Sequence, residues 1–133
     1  MEKRVIIGAA MLATLMAGRP ATAQAQQMAG MKMPEGKEVT VTGTVIDVSC
    51  KFGQGLSGDA HRMCSQVCGD QGLPLAILGD DGTLYIPSTA EMPGKGQNGR
   101  LKEHAEHRVT VKGKAFKAGG AQALQIGSIA MAK

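Results

Sequence analysis

All three cysteines of the chain, Cys50, Cys64 and Cys68, fall within nineteen positions together with His61, one of its three histidines. Thiols and an imidazole at such close quarters allow two kinds of chemistry. The first is a soft-metal site. On a helix, His61, Cys64 and Cys68 are spaced i, i+3 and i+7, which puts them within roughly 60° of one another on one face. Cys50 precedes a Gly-rich stretch that lets it fold back against that face. A Cys3His shell suits zinc or Cu(I), because thiolate is a soft ligand and imidazole is compatible with both ions. At 1.5 Å rise per residue, His61 and Cys68 stand about 10 Å apart along the axis, so one ion meets the whole set only beside Cys64, and three of the four residues can suffice.

The second chemistry is a disulfide with one thiol to spare. Cys50 bonded to Cys64 or Cys68 would close a loop of about 14–18 residues and stabilise by roughly 3 kcal/mol. Cys64 with Cys68, within one helical turn, is a poor pair. The leftover thiol would be either inert or redox-active. The chain has no C-x-x-C motif, which counts against an oxidoreductase without excluding thiol–disulfide chemistry. From the residues alone, metal site and staple both stay open.

Other candidates carry less. Met28, Met31 and Met33 could add thioether ligands to a copper site, although methionine is frequent throughout the chain. Glu103-His104-Ala105-Glu106-His107 reads as a solvated face with local charge pairs. Ser49, Ser57, Ser65 and Ser88 lack the G-x-S-x-G context of a nucleophile elbow, and there is no P-loop, dinucleotide fingerprint or haem-attachment motif. The expectation is therefore a protein that binds rather than catalyses.

The N-terminus reads as an export signal. Lys3 and Arg4 precede an apolar run from Val5 to Ala17, and Ala21-Thr22-Ala23 supplies a cleavage pattern before Gln24. The run is short for a membrane span, so no span is expected after cleavage, and the expected location is periplasmic or secreted. The formal net charge is +4. Loss of residues 1–23 removes Lys3, Arg4, Arg19 and Glu2 and leaves 12 basic residues against 10 acidic ones. That balance, with one Tyr, two Phe and no Trp, gives neither the basic groove nor the stacking platforms that nucleic acid needs. The core is expected to be built from Val, Ile, Leu, Ala and Met.

Residues 24–37 lack any helix or strand period and read as a flexible Met-rich leader. The domain follows, over residues 38–133. Val39, Val41, Val45 and Val48 alternate with Thr residues as a strand, with Gly43 marking a bulge or strong coil and Cys50 at or just past the end. A Gly-rich loop runs from Phe52 to Gly58, and Asp59 is placed to cap a helix over Ala60–Cys68. Two short strands, 75–78 and 83–87, flank the turn Gly79-Asp80-Asp81-Gly82. Asn98 is placed to cap a helix from Gly99 to about His107, with Leu101 and Ala105 inward, and strands follow over 108–117 and 121–131. The expected fold is mainly β: a five-stranded OB-like barrel, with a Cys/His-bearing helix inserted between strands 1 and 2 and a short helix between strands 3 and 4.

The run Gly43-x-Val45-x-Asp47-x-x-Cys50, then His61-x-x-Cys64-x-x-x-Cys68, then Gly72-x-Pro74 with Asp81-Gly82-x-x-Tyr85, resembles a group of small exported bacterial proteins of unestablished activity. The resemblance covers roughly residues 38–130 and implies an OB-like barrel and export, but no reaction. The expected function is binding of zinc or Cu(I) through Cys50, His61, Cys64 and Cys68, in a structural or metal-handling role. The alternative is a disulfide-stapled adaptor that binds another envelope protein.

Overall fold

Residues 34–133 are described by a computed structural model. The expected signal peptide, and with it Met28, Met31 and Met33 of the leader, lies outside the described residues.

Alternating β-branched residues form the first strand, β1 (Lys37–Asp47), which burial divides into an inner face containing Val41 and Val45 and an outer face of threonines. β2 (Leu75–Gly79) and β3 (Leu84–Ser88) follow, then β4 (Arg108–Ala118) and β5 (Ala121–Met131). They close into a barrel in the order β1-β2-β3-β5-β4, with β3 and β5 parallel and the other pairs antiparallel. This is the expected OB-like barrel, with helices inserted between strands.

Closure requires β1 to serve two neighbours. Lys37 to Thr44 pair with β4, and Gly43 to Asp47 pair with β2. Gly43 belongs to both ladders, and a Cβ there would stand 2.3 Å from the Leu78 carbonyl oxygen. Its role is thus close approach at the coil. The bulge lies elsewhere, where Lys112 pairs with Ser128 and Gly113 with Ile126, leaving Gly127 as the extra residue.

The core is aliphatic: Val41, Val45, Leu75, Ile77, Leu101, Val109, Val111, Leu124 and Ile126. Methionine takes no part in it among the described residues, because Met63, Met92 and Met131 are exposed. Leu101 and Ala105, expected to point inward, are fully buried.

The helical segments depart from expectation in their details. Cys50 is not at a strand end before a loop. It lies inside a helix, α1 (Val48–Gln54), that starts as soon as β1 stops. Gly55, at φ 70°, ends α1 and donates its N–H to the Cys50 carbonyl, a terminus that glycine adopts without a Cβ penalty. The expected single helix over Ala60–Cys68 is a 3-10 turn, Asp59–His61, running into α2 (Arg62–Asp70). Asp59 does not cap it: Gly58 occupies that position at φ 88°, and Asp59 is already within the turn.

The second connection contains α3 (Asn98–Leu101) and a 3-10 turn, Lys102–His104, so it ends short of His107. Asn98 makes no cap either. Its amide instead donates to the carbonyls of Gly69 (3.0 Å) and Leu73 (2.8 Å) and accepts from the Leu75 N–H (3.3 Å). That stitches the end of α2 to the start of β2. Gln66 and Arg62 donate to the carbonyls of Lys102 and Glu103, and Lys102 pairs with Asp70 at 2.6 Å, so α2 is tied along its length to the second connection.

Candidate metal centre

α1 supplies one of the thiols and α2 the other two. Val48 donates to the Pro74 carbonyl at 3.1 Å, which ties the start of α1 to the segment leading into β2. Gly69 lies so close to Leu75 that a Cβ would stand 2.9 Å from its Cδ1, which sets α2 hard against β2. Ser65 and Gly69 form the buried face of α2, while Cys64 is exposed and Cys68 half-buried on its flank. Cys50, on α1, is buried.

The sulfur atoms of Cys50, Cys64 and Cys68 all lie within 4.8 Å of one another. Cys50 also closes a second group, in which its sulfur, a carboxylate oxygen of Asp47 and a ring nitrogen of His61 lie within 4.8 Å of one another. The four sequence-predicted residues thus share one pocket, but as two triangles meeting at Cys50. His61 sits in the 3-10 turn ahead of α2, so the single helical face expected for it and the two cysteines does not form.

Asp47 is the residue that sequence reasoning did not place in the site. It is fully buried. As the N-cap of α1, its Oδ1 accepts the Cys50 N–H at 3.0 Å, which satisfies one of the free donors of the first turn. An acidic residue three positions before a cysteine at the close of a strand is the pattern of such a cap, visible once Cys50 is read as helical. Oδ2 is buried and without a partner at hydrogen-bond geometry among the described residues, as is Nε2 of His61.

The electrostatics follow from this carboxylate. Burial raises the Asp47 pKa, but the N–H of Cys50, the neighbouring thiols of Cys68 and Cys50, and the N–H of Ser49 together hold it below its ordinary 3.8. The thiols move the other way. Hydrogen bonding to Asp47, then burial, then the negative charges nearby push Cys68 up to about 12. Burial first, and then Asp47, raise Cys50. Without an ion, burial and the Asp47 carboxylate together keep the Cys50 and Cys68 thiols protonated. A bound cation would replace those protons, because it is the thiolate that ligates.

Near the site, the Glu103–His107 run is not the solvated face expected. Glu106 is buried at φ 61°, and its Oε2 accepts the Gly58 N–H at 2.8 Å, pinning the loop ahead of His61.

What fold and site together define is a small OB-like barrel whose helical insertion carries a thiol-rich cluster able to hold a metal ion. Comparison with family models, curated proteins and solved structures finds no match to this chain.

Proposed function

We propose that this is a small exported protein that binds a soft transition metal, zinc or Cu(I), through the thiolates of Cys50, Cys64 and Cys68, with His61 in the same pocket. The observation that carries the reading is the mutual approach of three sulfurs from two helices to within 4.8 Å. Donors of one tetrahedral ion with 2.3 Å metal–sulfur bonds stand about 3.8 Å apart, so a small inward movement closes the shell. The N-terminal basic start, apolar run and Ala21-Thr22-Ala23 pattern support export. Exposure graded from buried Cys50 to exposed Cys64 supports metal handling, since an incoming ligand can exchange at Cys64 first. A barrel core that packs without contributions from these residues supports the same role.

The test is elemental analysis of the anaerobically purified protein beside its Cys64→Ser variant. Wild type retaining zinc or copper that the variant has lost supports the proposal; equal metal content in both overturns it. His61→Ala tests the imidazole in the same way.

A second reading draws on the same proximity: two of the three thiols oxidise to a disulfide, and the protein is a stapled adaptor for another envelope protein. Phe52, Met63 and Val67, all exposed on α1 and α2, offer it apolar contact surface. One titratable thiol before reduction and three after, unaffected by a chelator, would favour the staple.

A further inference from the structure

We infer that the pocket contains two cation positions sharing Cys50: the three-thiolate position proposed above, on which this inference rests, and a mixed-donor position formed by Asp47, Cys50 and His61. The donor atoms of the second group lie within 4.8 Å of one another, as those of the first do. Its residues are the most enclosed in the pocket, at 0 %, 6 % and 8 % exposure.

One of these residues has an unmet demand and another is met only weakly. His61 Nε2 is buried and without a partner among the described residues, and Asp47 Oδ2, buried as well, is met by no N–H or O–H donor there. A buried polar atom left so is costly, and native structures seldom tolerate one without a reason. Neither atom is a defect of local geometry. Asp47 is held by its cap to the Cys50 N–H, and His61 by a 3-10 turn whose own N–H bonds the Gly58 carbonyl at 2.8 Å. The loop before that turn is in turn pinned by Glu106. Both side chains are therefore presented to the pocket on fixed backbone.

The chemistry of the two groups differs. Three thiolates are uniformly soft and favour Cu(I). A carboxylate, an imidazole and a thiolate form the donor set of a borderline divalent ion such as zinc, whose bonds to these atoms run about 2.0–2.3 Å. The five donors fall into two groups that share Cys50 and not into one, so a single ion would have to leave part of the set unused. Charge favours the pairing as well. A Cu(I) ion among three thiolates leaves two negative charges uncompensated beside the buried Asp47 carboxylate, and a divalent neighbour offsets two of these three. The Cys50 thiolate has the lone pairs to bridge both ions.

The experiment uses the reduced chain under anaerobic conditions, given one equivalent of Cu(I) and then titrated with Co(II) as a spectroscopic stand-in for zinc. Native mass spectrometry counts the ions, and the visible spectrum reports thiolate bound to Co(II). The expected result is one copper and one cobalt per chain, with a thiolate-to-cobalt charge-transfer band. Asp47→Asn, which keeps an acceptor for the α1 cap, and His61→Gln should each weaken cobalt at least tenfold while retaining copper. Cys64→Ser should do the reverse.

Copper bound with no cobalt beside it, or cobalt bound equally by Asp47→Asn, overturns the second position and leaves the thiolate reading standing. Asp47→Asn losing copper as fully as Cys64→Ser shows a single ion and also overturns it. Wild type that holds neither ion overturns both readings. Circular dichroism of each variant confirms that the fold is kept before its metal content is compared.

Discussion

Asp47→Ala is the substitution whose effect can be worked out most fully. The side chain caps α1 through a 3.0 Å hydrogen bond to the Cys50 N–H, and the thiols of Cys68 and Cys50 neighbour the same carboxylate. Loss of an Asp cap costs about 0.5–2 kcal/mol. Because the abandoned N–H is buried, the upper half of that range applies, so we take about 1–2 kcal/mol. The unfilled-donor penalty of about 1–3 kcal/mol describes the same loss from the other side and is not added. For a domain of this size each kcal/mol moves Tm by about 4–8 °C, so the metal-free alanine variant should melt roughly 5–15 °C lower. Asp47→Asn keeps an oxygen for the Cys50 N–H but loses the charge that the folded state favours, so it should melt between wild type and the alanine variant. The assay is thermal unfolding followed by circular dichroism, with chelator and a phosphine reductant present. Alanine melting with wild type, or asparagine falling as far as alanine, would refute the claim that Asp47 builds the helix carrying Cys50.

Three further outcomes test the frame around the site. Leu101 is fully buried in the barrel core, so Leu101→Ala should cost about 3 kcal/mol and lower the urea midpoint accordingly. Gly113→Ala would place a Cβ 2.0 Å from the Gln125 carbonyl oxygen, where only backbone can yield, and should cost about 1–3 kcal/mol. Gly96→Ala, which meets nothing within 4 Å, serves as its neutral control in the same denaturation assay. Arg108, by hydrogen bonding to Asp80, holds that carboxyl below its ordinary 3.8. A lowered pKa in the folded state stabilises above the unfolded value and loses that contribution as pH falls through the folded one. Wild type should therefore exceed Asp80→Asn by a small, salt-sensitive margin that is constant above pH 3.8 and vanishes well below it.

The barrel was legible because period-2 alternation and turn residues are local signals, and the order of strands and helices then selects one architecture. Leu101 and Ala105 were legible for the same kind of reason, being the apolar positions of a short polar segment. The helical insertion was only half legible. Val48 prolongs the β-branched run of β1, and nothing local to Cys50 announces a helix that begins by accepting a cap from Asp47 and ends on a left-handed Gly55. Asn98 has the composition of a cap, yet three tertiary hydrogen bonds claim its amide. Glu106 looks solvated in a run of charges, but the fold turns it onto the Gly58 N–H, 48 residues away in sequence. In the site, the thiols announced themselves by type and spacing. The meeting of Asp47 with His61 depends on how α1 leaves the barrel, which spacing does not record.

The central claim, that three sulfurs converge on one ion, is most directly tested by thiol protection. The reduced chain is exposed to an alkylating reagent with and without one equivalent of Cu(I), and the adducts are counted by mass spectrometry. Without copper, exposed Cys64 should be modified first and Cys68 and Cys50 more slowly, because one is held protonated and the other is also buried. With copper none of the three should react, and a copper chelator should restore all three rates. Protection of fewer than three cysteines, or thiols that reappear with reductant and not with chelator, would contradict it.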